Sequence, residues 1–542
     1  MKGLKKKGAV IVATVLAVAQ VLTGCSLGKA PTNGNTGSGD ELQIGVVAKG
    51  YGEKFARQLA AAYEAKTGVK TSIVKSSAAT DWVAASLLAG EKTNDIDVYF
   101  DINPVLMKSV ATSNYIKGYE RAFVDLSDIY DEVPEGYGTE QPLEEMISEY
   151  ALRASTWDIE EEGFGDGKQY FVCYASGIEG LVYNVKLFEQ YGLKKPKTTT
   201  QFFALLDQIK TLGNGTYVRN DDGRDIYPYV YSGQVNYTNY LATVWWAQCD
   251  GVDSYYKALQ GKEAGGNYTA DSVKAQGKLS AMMHVAKLLD QTSGYTSNIC
   301  YNQNFTNAQV LFLDNQAFMM STGEWLEREM SANFDDVDVA FMKIPVNSDI
   351  IMRCDSVTTE EQLVECLTYI DGETDVRPSY LSDSDLAILK EARSVYNSEG
   401  NQHLAYIPAY SNMKEEAKDF LRFMVSKEGQ EIMLEYSYGN MAPLNVDVSK
   451  FDYYDKLSTL QKSKYALVNS NVGITLVGNN YSHPMAYAGT VQSFYDNPTL
   501  ENAFGVVSTS SSFKTPKEIW NADYERMAAD WEALMAQAGV SN

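Results

Sequence analysis

A chain of 542 residues with 70 Asp and Glu against 46 Lys and Arg, a net charge of −24, lacks the cationic excess that gripping a phosphate backbone or lying flat on anionic lipid requires. That length exceeds one compact core, so two lobes or more are expected. Its 37 Tyr and 7 Trp suit a core, and they equally suit a site for something with flat apolar faces.

The chain opens on Lys2, Lys5, Lys6 and Lys7, followed by an apolar run from Gly8 to Leu22 broken only by Thr14 and Gln20. A basic head and a short apolar middle are the pattern of an export signal, and the run falls short of the ~20 residues a membrane helix needs. It closes on Leu22-Thr23-Gly24-Cys25, which resembles the lipobox of bacterial lipoproteins. That resemblance implies removal of residues 1–24, lipidation of Cys25, and a chain held at the outer face of the cell membrane by its lipid alone. Loss of residues 1–24 leaves 42 basic residues against 70 acidic ones. Residues 25–41, rich in Gly, Ser, Thr and Asn, have little to bury and are expected to be a flexible tether.

From Leu42 to Ala48 the pattern predicts a strand, and from Gly52 to Lys66 a helix with Phe55, Leu59, Ala62 and Tyr63 on one face, stopped at Thr67-Gly68. Val69 to Val74 and Asp95 to Phe100 read as further strands, with a helix from Thr80 to Leu88 between them. Alternation of this kind implies a parallel sheet, with ligands held beyond the carboxyl ends of its strands. An acidic, less regular stretch runs from Tyr119 to Glu162. Tyr170 to Asn184 reads as extended chain, Phe202 to Leu212 as helix, and helical patterns dominate Tyr240 to Leu259 and Ser272 to Leu289. Strands are expected at Gln316 to Met320, Val337 to Ile344 and His403 to Pro408, with an acidic insertion at 348–400. Helices are expected at Glu415 to Tyr436 and Pro516 to Ala538.

Four stretches, in order, resemble the family 1 extracellular solute-binding proteins of ABC importers, the group that includes maltose-binding protein. They are Val46 to Gly68, with Lys49-Gly50-Tyr51; Gly180 to Asn184 with Leu187-Phe188, Gly192-Leu193, Pro196 and Thr198; Ala317 to Trp325; and Ile407-Pro408-Ala409 with Ser411 and Lys414 through Glu428. The stretch after Tyr119 and the insertion depart from the simpler members. The resemblance implies an α/β, two-lobed fold with a hinge and a ligand cleft between lobes. The N-terminal lobe would take 42–171 plus 407–436, and the C-terminal lobe 172–406 plus 437–542. It also implies a monomer that binds an oligosaccharide, partners the permease subunits of an ABC importer, and needs no cofactor.

A sugar presents apolar C–H faces and a belt of hydroxyls, so its site needs aromatic platforms with carboxylates and amides around them. By resemblance Trp325, beside Glu324, stacks on a sugar ring, and Lys49 contacts ligand with Tyr51 in the same loop. Asp101 at a strand end, Trp82 in a helical first turn and Tyr174, beside one of the lobe crossings that the resemblance places near Tyr170–Tyr174 and Tyr406–Ala409, are further candidates, each with a structural alternative. Trp245 and Trp246 are adjacent and point differently, so at most one is expected to face the cleft, and core packing is the expected fate of either. The five cysteines after Cys25 (Cys173, Cys249, Cys300, Cys354 and Cys366) match no zinc spacing, and only Cys354 and Cys366 suggest a pair. His284, His403 and His483 lie far apart, and Asn220 to Asp225 lacks the ligand pattern of a calcium loop, so no metal is expected. A secreted glycoside hydrolase, or a surface sensor or adhesin, would be the alternative to a transport receptor.

Overall fold

The computed structural model describes residues 41–48, 50–76, 95–102, 118–157, 166–233, 237–290, 292–334, 338–398, 403–468, 473–474, 515–538 and 540. The expectations for Cys25, Lys49, Trp82 and the helix at 80–88 lie outside these residues, as does all of the tether but Glu41.

Strand β1 (Glu41–Val47) leads into α1 (Lys54–Thr67), which buries Phe55, Leu59 and Tyr63. Gly68, at φ +79, ends α1 by turning its N–H onto Glu64 O at 2.8 Å, a left-handed cap that other residues adopt only with strain. Strands β2 (Lys70–Ser76) and β3 (Val98–Ile102) flank β1, both parallel to it. The expected parallel series therefore stands. The stretch after Tyr119 is more regular than its composition suggested, with helices at Ser127–Asp131, Leu143–Met146 and Glu149–Ser155.

Beyond it come β4 (Val172–Cys173) and β5 (Ile178–Asn184), the latter buried along its whole length. Then follow α2 (Thr199–Ile209), β6 (Tyr227–Val230), α3 (Asn239–Asp250), α4 (Gln276–Leu289), β7 (Ala317–Gly323) and β8 (Val339–Met342). The insertion supplies α5 (Glu360–Ile370), α6 (Asp383–Ser394) and β9 (Tyr396–Ser398), and β10 (His403–Tyr406) follows. The chain continues through α7 (Lys414–Val425), α8 (Lys427–Tyr436), α9 (Thr459–Val468), β11 (Gly473–Ile474) and α10 (Pro516–Ala538).

These strands make two main sheets. The first has the order β2-β1-β3-β10-β4, with β10 antiparallel to both neighbours. The second has the order β11-β9-β5-β7-β6, with β8 pairing along the rest of the β5 edge. Strands β4 and β10 lie outside the segments 42–171 and 407–436, and they hydrogen-bond into the first sheet nonetheless.

Several of the stretches that carried the family resemblance are folding signals. Asn184 caps the helix Val185–Gln190 by accepting from Leu187 N at 3.0 Å, Gly192 sits at φ +61, and Thr198 caps α2 by accepting from Gln201 N at 3.2 Å. Two expected helices are broken. Gly251, at φ +91, separates α3 from the helix Val252–Leu259. Ser426 ends α7 in extended geometry and caps α8 by accepting from Gly429 N at 3.2 Å.

The insertion has a core of its own, built on Val346, Ile350, Val357, Leu363, Cys366, Leu367, Leu381, Leu389 and Ala392, with Cys354 packed against it. Cys354 and Cys366 are both free thiols. Asp371 meets Arg393 of α6 at 2.8 Å within the insertion, and moors this core to the second sheet's surroundings through Lys343 at 3.1 Å and Lys197 at 3.3 Å. Burial would push the Asp371 carboxyl up, but Arg393 and Lys343 outweigh it and hold the group at about 2.

Candidate functional site

Strand β7 delivers Glu324 and Trp325 just past its end. Trp325 is 8% exposed, and its indole lies against the backbone of Gly323, where a Cβ would sit 2.4 Å from the ring. Only glycine at 323 lets the ring lie there. Tyr237 and Tyr240 approach Trp325 edge-on, with centroids 6.2 and 6.5 Å away, and Phe305 stands 6.2 Å from Tyr237. Trp325 Nε1 is buried and has no hydrogen-bond partner among the described residues. An indole donor left unpaired costs about 1–3 kcal/mol unless something external accepts from it.

Glu324 is buried and fully engaged. Its Oε1 accepts from Tyr51 Oη at 2.7 Å, Gly177 N at 2.8 Å and Asn440 Nδ2 at 2.6 Å. Its Oε2 meets Lys464 Nζ at 2.9 Å, with both side chains nearly inaccessible to solvent. Burial works against the charged carboxylate, yet Lys464 and the neutral donors outweigh it and hold Glu324 below the usual range.

Asp101, near the end of β3, is wholly buried. Tyr406 Oη donates to its Oδ2 at 2.9 Å, Tyr174 Oη donates to its backbone carbonyl at 3.1 Å, and Oδ1 has no hydrogen-bond partner among the described residues. The Tyr174 ring is enclosed, stacked on Phe55 and edge-on to Phe100 and His403. His403 also meets the Tyr51 ring at 4.9 Å. Glu324, Tyr51, His403, Tyr174 and Asp101 thus form one connected cluster, with Trp325 at its end.

Burial pushes the Asp101 carboxyl up to about 7, with the Tyr406 bond pulling the other way. The folded value exceeds the unfolded ~3.9, so ionising Asp101 costs stability. That cost is absent below about pH 4, grows as pH climbs toward 7, and is complete above it. Chemical denaturation at pH 5 and pH 8 is expected to show a loss for the natural chain that exceeds the loss for Asp101→Asn by roughly 3 kcal/mol. Equal losses would mean that Asp101 ionises at no cost to the fold.

Trp245 and Trp246 are placed away from this cluster and are both buried, the core packing expected for either. From Asn239 to Cys249 every residue of α3 is buried, because the helix runs between the second sheet and a cover made by α4 and the insertion's α6. Trp245 Nε1 donates to Pro345 O at 3.1 Å and Trp246 Nε1 to Asp250 Oδ2 at 2.9 Å. Pointing in different directions on such a helix exposes neither ring. In the loop Asn220 to Asp225, Asp222 and Asp225 are each paired with an arginine, Arg224 and Arg219 respectively. A cavity of about 300 Å³ lined by Tyr63, Ile129, Val133, Arg422 and Phe423 lies between α1, α7 and the Ser127–Asp131 region, apart from Trp325.

Sequence reasoning did not find Asn440, Lys464, Tyr237, Tyr240 or Tyr406. The i, i+3 spacing of Tyr237 and Tyr240 at the start of a helix is the one signal that was there to use.

The profile of the family described as bacterial extracellular solute-binding protein matches residues 58–456. The chain belongs to that family. As a solute-binding protein it acts outside the cytoplasm, and among its described residues no helix is long and apolar enough to cross a membrane. Among curated proteins nothing matches it. Solved structures of the same fold include apo RafE from Streptococcus pneumoniae, with a TM-score of 0.54 at 15% identity over 87% of this chain and 99% of that one. The bacterial solute receptor AcbH gives 0.53 at 13% identity over 91% and 99%, and RafE in complex with raffinose gives 0.50 at 15% identity over 86% and 98%. The solute-binding protein therefore has the two-lobed α/β fold expected from its sequence.

Proposed function

We propose that this solute-binding protein captures an oligosaccharide between its two lobes and delivers it to the permease subunits of an ABC importer, as a monomer anchored through lipid on Cys25 and without chemistry on the ligand. The observation that carries the reading is the Trp325 platform: a ring held against Gly323, walled by Tyr237 and Tyr240, with its donor Nε1 unpaired. A stacking face beside a free N–H suits a sugar, which offers C–H faces and hydroxyl acceptors together. The RafE structure that shares this fold holds raffinose, and AcbH has an exclusive preference for β-D-galactopyranose. Lys49 and Trp82 stay in the proposed ligand set. Trp245 and Trp246 are enclosed within their own lobe, Tyr174 is enclosed by Phe55 and Phe100 of the other, and all three leave it. The lobes we assign are 42–171 plus 407–436 and 172–406 plus 437–542, with β4 and β10 reaching into the first sheet.

Binding without turnover agrees with the state of the two acids in the cluster. A glycosidase needs one carboxyl as acid and another as base or nucleophile, both open to substrate. Here Glu324 is neutralised by Lys464, and Asp101 is sealed behind Tyr406. Calorimetric titration against raffinose, galactose-containing and glucose-containing oligosaccharides, followed by chromatography of the sugar, is expected to show saturable binding of at least one and consumption of none. Release of monosaccharide would point to the hydrolase instead, and silence across the panel would remove the sugar.

A further inference from the structure

The two sheets are joined at residues 174–177, between β9 and β10, and again after α8. These passages are stitched together at Ser176. Ser398 Oγ and Tyr150 Oη donate to the Ser176 carbonyl at 2.6 and 3.1 Å. Ser176 N donates to Asn440 Oδ1 at 3.3 Å, and Ser176 Oγ donates to Met441 O at 3.0 Å. Glu324 sits beside this knot, because Gly177 and Asn440 both donate to its carboxylate.

The donors to Glu324 come from different bodies. Gly177 and Asn440 belong to the passages, and Lys464 belongs to α9, which packs on β8 of the second sheet. Tyr51 alone comes from the loop that follows β1 of the first sheet, 273 residues away in sequence. Any rotation of one sheet against the other about the passages leaves Glu324 with its hinge donors and stretches its bond to Tyr51.

We propose that Glu324 is a hinge latch: its bond from the Tyr51 hydroxyl holds the lobes together in the ligand-free chain, and the strength of that bond sets how often the lobes part. Ligand resting on Trp325, the next residue, then acts on the same joint, so that latch and ligand favour one arrangement together. The inference draws its consequence from the capture reading, but the latch itself can be seen without any ligand. A hydrogen bond to a buried carboxylate is stronger than a neutral one, which makes removal of a single hydroxyl enough to move the balance.

The test is Tyr51→Phe in the full chain, which keeps the ring against His403 and removes only the donor. Single-molecule distance measurements between the lobes, without ligand, are expected to show the parted population rising about tenfold relative to the joined one. The thermal midpoint is expected to move by no more than a few degrees, which separates a shifted hinge from a damaged core. Asn440→Ala, which removes a donor that stays with Glu324 in either arrangement, is the control and is expected to leave that distribution where it was. An unchanged distribution for Tyr51→Phe, a shift toward the joined form, or an equal shift in the control overturns the latch. Where a sugar is bound, its affinity for Tyr51→Phe is expected to fall by the factor by which the joined population falls, and an unchanged affinity beside a shifted distribution overturns the coupling. A shifted distribution in a chain that binds no sugar leaves the latch standing and removes the capture reading alone.

Discussion

Trp325→Ala is expected to weaken binding of the captured sugar by about 100-fold, while Trp325→Phe keeps it within roughly tenfold. The asymmetry follows from what each change removes. Alanine takes away the stacking face that Gly323 sets in place and opens a void beside Tyr237 and Tyr240. Phenylalanine keeps a face and loses chiefly the unpaired Nε1 donor. Titration calorimetry on both variants, with circular dichroism to establish folding, reads the difference. Equal affinities for the natural chain and the alanine variant would mean that Trp325 is a packing residue and that ligand sits elsewhere.

The second large effect is on stability. Lys464→Met is expected to cost about 3–5 kcal/mol at neutral pH, because it leaves the Glu324 charge in a dry interior with neutral donors only. Lys464 normally helps to hold Glu324 ionised and below the usual carboxylate range. Without the ammonium, burial dominates and the carboxyl takes a proton in the folded state. Its folded pKa then lies above the unfolded value, so the penalty is largest at high pH and shrinks as pH falls toward ~4. Urea denaturation at pH 8 and pH 4.5 separates this from a cavity effect, which would be the same at both. Glu324→Gln with Lys464→Met is expected to recover much of the loss, as matched neutral pairs do. A small, pH-independent cost for the single variant would show that Glu324 finds other compensation.

Much of the fold was legible because its signals are local. The stop at Gly68 and the strand running into Gly323-Glu324-Trp325 come from a few adjacent residues, and so do the caps at Asn184 and Thr198, which the sequence showed only as matches to the family pattern. What was not legible depends on distance. Nothing in His403 to Tyr406 announces that the strand will pair with β3, some 300 residues earlier. Lys464, in an ordinary helical pattern, reads as a solvated lysine until the fold brings it to Glu324, 140 residues away. Trp245 and Trp246 take the core packing expected of either ring, because α3 is buried from Asn239 to Cys249. The abundance of tyrosine is largely absorbed by the interior as well: Tyr63, Tyr99, Tyr130, Tyr170, Tyr174, Tyr229, Tyr255 and Tyr406 are all fully buried.

The insertion that follows β8 forms its own small oil drop, moored by one aspartate to two lysines outside it. Its two helices lie outside the hydrogen-bonded register of the second sheet, which the chain re-enters only at Tyr396. Residues can therefore be gained or lost between those helices without shifting a single rung of the ladder that carries Trp325. This annex is the part of the molecule whose length the second sheet leaves open, and the ladder is the part whose length it fixes.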